Sequence, residues 1–417
     1  MTDQNPILII GAGQAGVQVA DSLRAEGYRG QVAVLNPEKI LPYQRPQLSK
    51  DFLTADESTP VLPLRGEDFY RENQIELLHN AAVSGIEPAT HTVHLEEGGQ
   101  LHYSQLVIAT GTRAREMNIP GSHLEGIHHV RTLDDARGLR TELASARRIV
   151  VVGAGFIGLE VAAAAVKLGI EVTVLSGCQA PMARSVSASV SEWFSRYHRD
   201  RGVHLVDGAS ASSFEGSAGC VDVVISDTGQ RYPADLVVVG IGALPNVEFL
   251  EGSGLELNNG VCVDDHLRTN IPGIWALGDC AVLPSRQRLE SVQNATDQGR
   301  LLARNLVASN NLLPLEGYDA LPWFWSHQGD AKLQIAGLRP HSHGEPLLLG
   351  SPENKKFSVL IFDDFDELVA VESVNSPADH MAARKILSQP LPLTREVAGA
   401  TGFTLKAHSR AVPAISS

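Results

Sequence analysis

Two glycine triplets carry the most legible chemistry in the chain. Gly11, Gly13 and Gly16 close the run ILIIGAGQAG (7–16), and Gly153, Gly155 and Gly158 close IVVVGAGFIG (149–158). In a G-x-G-x-x-G pattern the first glycine allows a tight turn and the second lets the backbone approach a pyrophosphate. The third lets helix and strand pack closely. The helix that follows points its free N–H groups and the positive end of its dipole at the phosphates. One such triplet is weak evidence. Two on one chain, each between an apolar run and a helical pattern, predict two dinucleotide sites, with a tandem duplication that uses glycine only for packing as the alternative.

Other chemistry is not expected. Cys178, Cys220, Cys262 and Cys280 stand alone, without C-x-x-C or ligand-like spacing, which speaks against disulfides, an iron–sulfur cluster and a paired-thiol centre. They read as reduced and mostly buried residues. The histidines, among them His128-His129 and the His341/His343 pair, show no metal-ligand spacing and read as solvated loops.

The elements that must position the glycines follow from the flanking patterns. Each triplet leads into a helical stretch, VQVADSLRAEG and LEVAAAAVKLG, with Gly27 and Gly169 where C-caps belong. The AAAAV run (162–166) reads as a close-packed helix. Strand-like runs follow at 31–35 and 170–175. The order is strand, glycine turn, helix, strand, twice, as in an α/β chain. Further β-like runs stand at 357–362 and 367–374, a helical stretch follows Pro377, and AHSRAVPAISS reads as a frayed tail.

At 417 residues the chain is long enough for two or three domains. Hydrophobic residues at 43% and charged ones at 20% exclude a disordered chain. Lys plus Arg is 34 against 48 Asp plus Glu, a net charge of −14, which argues against a nucleic-acid or anionic-membrane binder. The longest apolar stretch, Ile149 to Leu159, is too short to span a bilayer. The opening MTDQNPILII has no basic n-region, so no signal peptide is expected and the expected location is cytoplasmic.

Two more strand ends narrow the reading. LVIATGTR (106–113) ends in A-T-G and IWALGDCA (274–281) in G-D, and both resemble motifs of two-dinucleotide flavoprotein reductases. LPYQRPQLSK (41–50), VRTLDDA (130–136), GIGALPN (240–246), LESVQNA (289–295) and PWFWSHQ (322–328) are similar to motifs of FAD-dependent NAD(P)H:ferredoxin reductases that serve oxygenases and P450s, the putidaredoxin-reductase-like and rhodocoxin-reductase-like enzymes. Rubredoxin reductases and the apoptosis-inducing-factor branch are neighbours. The resemblance runs from residue 7 to about 339.

The resemblance implies an α/β fold with two Rossmann-like dinucleotide-binding domains, glutathione-reductase-like, plus an α+β C-terminal domain. It implies an FAD domain at 1–113 and 247–318, an NAD(P) domain at 114–246 and a C-terminal domain at 319–417. The implied reaction passes electrons from NADH through FAD to a [2Fe–2S] ferredoxin, with NADPH as a second donor. A rubredoxin reductase is the alternative enzyme. A flavin-binding regulatory or interaction protein is the alternative from another class. Disulfide reductases of the same fold carry a redox cysteine early in the chain, and here none precedes Cys178.

Roles carry over by motif. Gly11, Gly13, Ala15 and Gly16 would hold the FAD pyrophosphate, with Thr110 and Gly111 at the A-T-G end. Arg45 and Lys50 would reach the flavin side, Val83 and Arg131 its flanks, Asp279 the ribityl chain, and Val292 the ring. Asp279 would equally cap a helix starting near Cys280. Gly153, Gly155, Gly158 and Gly242 belong to the nicotinamide nucleotide side. Lys50 and Glu160 would pair beside the reacting rings as the catalytic residues, and Trp325 would shield the nicotinamide or fill an ordinary core position. Arg300 and Arg304, i and i+4 on an amphipathic helix over 297–306, would dock the carrier, with Lys332 and Arg339 extending the patch. No metal is implied.

Four departures from the pattern stand out. At the first strand tip, Asn36-Pro37-Glu38 offers either Glu38 or Asn36 to the adenosine ribose. At the second, Ser176 replaces the acid that would repel a 2′-phosphate. Phe156 stands where tyrosine is common, and His327 and Gly329 replace an acid and an aromatic.

Overall fold

The computed structural model describes residues 5–56, 58–284, 288–340, 344–389 and 392–411. It divides into two compact units. The first comprises 1–44, 60–113 and 243–320, and the second comprises 45–59, 114–242 and 321–417.

In the first unit, five short strands form one parallel sheet in the order Ile274–Ala276, Gln105–Ile108, Ile7–Ile10, Val32–Leu35, Ile75–Leu78. The central ILII strand is buried along its whole length. This is why it reads as an unbroken apolar run instead of an alternating one. The chain turns at Gly11 into the helix Gln14–Ala25. The helix ends beside Gly27, whose φ of +81° is the left-handed stop that the sequence places there. A long helix, Val292–Asn310, packs on the first one through Gly299, where a Cβ would come within 2.9 Å of the Gln18 side chain. Leu301, Leu302 and Leu306 on its inner face join Ile7, Leu23 and Trp275 in the core.

The second unit repeats the plan. Its parallel sheet runs His204–Asp207, Glu171–Ser176, Arg148–Val152, Leu236–Val239, Ile127–His128. The helix Phe156–Lys167 follows the second glycine turn, and Ala162, Ala164 and Ala165 of the alanine run are buried. The same unit holds a five-stranded antiparallel sheet in the order Trp323–Gln328, Ala331–Gly337, Leu368–Val374, Lys356–Phe362, Leu347–Ser351. The helix Pro377–Leu387 packs on it through Ala382, Ala383 and Ile386, which share a core with Phe362, Leu360 and Val371. A buried carboxylate ties these parts together. Glu372 on the antiparallel sheet accepts the Ser187 backbone N–H (2.9 and 3.0 Å) and hydroxyl (2.5 Å) at the N-terminus of the helix Ala188–Arg199.

Four expectations need correction. No helix begins near Cys280. Gly278–Cys280 is a single 3-10 turn with Leu277 at its N-cap, leading into a short strand, Ala281–Val282, so Asp279 lies within the turn instead of at a helix cap. His128 lies on the edge strand of the second parallel sheet, with its Nε2 2.9 Å from Glu142, and His129 beside it is half-buried, so neither is in a solvated loop. Of the four free cysteines only Cys280 is buried, and Cys220 is exposed. The start of the expected frayed tail is helical instead, 407–411 belonging to the helix Leu405–Ala411, while its end and the His341/His343 pair lie outside the described residues.

Candidate functional site

The glycine triplets can be tested for a dinucleotide atom by atom. At Gly11 φ is +109° and an added Cβ would sit 2.4 Å from the Ala109 carbonyl oxygen, while at Gly16 it would sit 1.9 Å from the Gly11 carbonyl oxygen. The backbone itself therefore demands these two glycines. At Gly13 a Cβ would meet no protein atom within 4 Å. The second triplet repeats this: Gly153 and Gly158 are blocked at 2.3 and 2.0 Å, and Gly155 faces open space. A glycine there leaves the backbone open to close approach by a group from outside the chain. At both triplets it stands at the helix N-cap, where a pyrophosphate would receive the free N–H groups. The residues present fit a dinucleotide at each triplet.

Around the first triplet, Ala15 is buried on the helix and leaves 3.0 Å to a Cβ built at Gly278. Thr110 donates its hydroxyl to the Asn246 carbonyl (2.7 Å), and Gly111 turns with φ +64°. Asp279 sits half-buried on the 3-10 turn, Val83 starts the strand Val83–Glu87, and Val292 is the first residue of the long helix. At the strand tip Asn36 is committed to its own loop, its Nδ2 donating to the Ile40 carbonyl (2.7 Å) and its Oδ1 accepting from the Glu38 N–H (3.1 Å). Glu38 accepts the Tyr43 hydroxyl (2.8 Å) and keeps acceptor capacity. Arg300 pairs with Asp297 (3.2 Å) and Arg304 with Glu316 (2.9 Å). Each arginine thus has an acid beside it, and Arg300 is the more exposed.

In the second unit the sequence-predicted pair meets. Lys50 Nζ lies 2.8 Å from Glu160 Oε2, with the carboxylate side chain 2% exposed. Lys50 also donates to the Pro46 carbonyl (2.7 Å), which fixes its head. Arg45 donates to the Arg131 carbonyl (2.8 Å). Two residues that sequence reasoning did not single out complete the cluster: Ser49 donates to Glu160 Oε2 (2.5 Å) and Ser326 to Oε1 (2.7 Å). Both sit inside the quoted motifs QLSK and WFWSHQ, so a count of donors to a buried glutamate could have found them. Phe156 packs its ring on Phe324 at 4.6 Å, an apolar contact that needs no hydroxyl. Trp325 is half-buried and tilts against Trp323 at 5.5 Å. Gly329 has φ +63°, and a Cβ there would be 2.7 Å from the Tyr197 hydroxyl, so a larger residue is strained at this turn. Burial first, then Lys50 and Lys332, pushes the His327 imidazole below its ordinary value.

Ser176 ends its strand buried, and its hydroxyl donates to the Cys178 carbonyl (3.0 Å). The proton expected for a ribose or a phosphate is therefore already engaged, and its lone pairs remain. Gly242 (φ +110°) faces open space like the middle glycines. Burial raises the thiols of Cys262 and Cys280, the opposite of what a redox thiolate needs. Among the described residues no three His, Cys, Asp or Glu side chains are grouped to hold a metal. No described helix is long and apolar enough to cross a membrane.

Comparison with known proteins gives the family. The sequence matches the pyridine nucleotide-disulphide oxidoreductase family over residues 5–299 and the reductase C-terminal domain over 323–409. It is 42% identical to rhodocoxin reductase of Rhodococcus erythropolis over 405 residues, 96% of this chain and 93% of that protein. The fold superposes on the ferredoxin reductase for the CYP199A2 system of Rhodopseudomonas palustris with a TM-score of 0.91 at 40% identity, covering 97% of this chain and all of that one. It also superposes on the reductase of the covalent putidaredoxin reductase–putidaredoxin complex (TM-score 0.90, 34% identity, 98% of this chain and 99% of that one). The chain therefore belongs to the pyridine nucleotide-disulphide oxidoreductase family, as an FAD- and NAD(P)H-dependent reductase carrying the reductase C-terminal domain.

Proposed function

We propose that this reductase carries electrons from NADH through FAD to a [2Fe–2S] ferredoxin that feeds an oxygenase or cytochrome P450, in the cytoplasm. The observation that carries the reading is the pair of glycine turns, each with two glycines that the backbone demands and a middle glycine at the helix N-cap that leaves room for a pyrophosphate. Residues 1–113 and 247–318 would bind FAD, 114–246 the nicotinamide nucleotide, and 319–417 would form the C-terminal domain. Bound FAD supplies the conversion of a hydride into single electrons.

The chain's own residues bind, orient and hold charge. Gly11, Gly13, Ala15, Gly16, Thr110, Gly111 and Asp279 hold FAD, and Val83, Val292, Arg45 and Arg131 flank it. Glu38 takes the adenosine ribose, since the Asn36 amide is engaged with the Ile40 carbonyl and the Glu38 N–H. Gly153, Gly155, Gly158, Gly242 and Trp325 frame the nicotinamide nucleotide. Lys50 keeps Glu160 paired in a buried setting, where an unpaired carboxylate would be costly. The carboxylate then has one acceptor position left for an N–H donor such as a carboxamide. Ser176 leaves NADH preferred with weak discrimination against NADPH, since neither a carboxylate nor a basic group stands at the strand tip.

Arg300, with Arg304, forms the docking face for the carrier. Coupled turnover with a [2Fe–2S] ferredoxin and, in parallel, with a rubredoxin tests the proposal. Faster NADH-driven reduction of the ferredoxin supports it. Faster reduction of rubredoxin makes the protein a rubredoxin reductase, and reduction of neither points to a binding or regulatory role.

A further inference from the structure

The hydrogen bonds on Glu160 do not stop at its carboxylate. Ser326 donates to Glu160 Oε1 (2.7 Å), and its own oxygen accepts from Gln328 Nε2 (3.3 Å). Gln328 Oε1 lies 2.8 Å from His198 Nε2, so the imidazole carries its proton on that nitrogen and donates. Gln328 Nε2 also contacts Met182 Sδ at 3.4 Å, which holds the amide in this orientation. Ser326, Gln328 and His198 are all buried, at 0, 0 and 1% exposure. Every donor in the series therefore points the same way, from His198 to Gln328 to Ser326 to the anion.

We propose that His198, Gln328 and Ser326 form a one-way hydrogen-bond chain that positions Glu160 for the nicotinamide carboxamide. It starts on the helix Ala188–Arg199 and runs along the strand Trp323–Gln328, so the C-terminal sheet reaches into nucleotide recognition. Glu160 has about four in-plane acceptor positions, and Ser49, Lys50 and Ser326 occupy three. What the chain contributes is direction. With Oε1 pinned by Ser326 and Oε2 by Ser49 and Lys50, the plane of the carboxylate is fixed and so is the remaining lone pair. Donors that polarise one another in sequence strengthen the last bond. His198 suits the donor end because burial pushes its pKa down to about 4, so it stays neutral at physiological pH, and the facing Gln328 Oε1 places its single proton on Nε2. None of the three touches substrate. They are positioning residues acting through Glu160.

The inference rests on the functional reading above, and a double-mutant cycle separates the two. The dissociation constant for NAD+ is measured by calorimetry on the FAD-loaded protein, together with KM for NADH and the limiting rate of flavin reduction. Four forms are compared: wild type, Ser326→Ala, Glu160→Ala and the double variant. Ser326→Ala should weaken NAD+ binding and raise KM about tenfold, the worth of one charge-assisted bond, while the limiting rate falls less than about threefold. Gln328→Met, one link further out, should cost about threefold, and Ser326→Thr should restore binding. In the Glu160→Ala background, Ser326→Ala should add less than about twofold. An equal factor in both backgrounds, or no effect in the wild type, overturns the chain while leaving the reductase reading intact. If Ser326→Thr fails to fold, the same cycle with Gln328→Met decides. A wild-type protein that binds no NAD+ and whose flavin NADH does not reduce sinks the reductase reading and this inference with it.

Discussion

Replacing Glu372 by alanine should loosen the second unit. The carboxylate is 1% exposed and accepts two distinct donors of Ser187, the N–H and the hydroxyl. The N–H is shared between both oxygens, so it counts once. Each charge-assisted bond is worth about 1.5–3 kcal/mol, and a negative charge at a helix N-terminus adds about 0.3–1. Against this stands the desolvation of a buried carboxylate, which its removal relieves. The Ser187 N–H left behind costs about 1–3 kcal/mol as a buried unsatisfied donor. The losses sum to about 4–10 kcal/mol, and relief of the several kcal/mol of carboxylate desolvation leaves a net loss of about 3–4 kcal/mol for Glu372→Ala. At about 2–4 °C per kcal/mol for a unit of 150–250 residues, the midpoint should fall roughly 10 °C. Glu372→Gln keeps one acceptor oxygen and should lose about half as much. Thermal unfolding followed by tryptophan fluorescence is a direct assay, since Trp193 sits on the helix that Ser187 caps and packs on Phe357 at 5.6 Å. A Glu372→Ala midpoint within 2 °C of wild type would refute the reasoning.

Gly13→Ala should fold and melt like wild type yet purify with little FAD, whereas Gly16→Ala should fail to accumulate, because only the second substitution meets backbone (1.9 Å). Absorbance per chain checks the first and soluble yield the second. Stability should decline as pH falls from about 6.5 toward about 4, since burial lowers both His198 and His380 to about 4 from an ordinary 6.5. In that window the unfolded chain binds protons that the folded one refuses, and stability is fully regained above it. His380→Phe should flatten the melting-midpoint curve below pH 6.5. Arg300→Glu should slow ferredoxin-coupled turnover several-fold at low salt, with the deficit shrinking at high salt and ferricyanide reduction unchanged. Equal loss in both assays would move the docking face elsewhere.

What was legible in the sequence was what is local. A strand buried on both faces must be an apolar run, and a strand–helix turn at a pyrophosphate must be glycine, so Ile7–Ile10, Arg148–Val152 and their triplets could be read directly. Lys50 and Glu160 were legible only through the motifs that flank them, since residues so far apart in the chain meet by tertiary folding. The same reason hid Ser326, Gln328, His198 and the Glu372–Ser187 contact, where neither partner's neighbours announce the other. Asp279 misled because Gly-Asp suits a helix start. Instead, pairing of Ala281–Val282 with Val261–Cys262 captures the chain as a strand. His128 misled because a two-residue edge strand has too little pattern to see, and its place is set by Val237 and Val238 alongside.

Reduction of the bound flavin by NADH under anaerobic conditions tests the central claim most directly. The account predicts a yellow protein whose visible flavin band bleaches rapidly with stoichiometric NADH. NADPH should act only somewhat more slowly, because no basic group stands at the strand tip to compensate the 2′-phosphate charge and Ser176 has its proton engaged with the Cys178 carbonyl. A flavin that neither donor bleaches, or a protein that takes up no FAD, would contradict it.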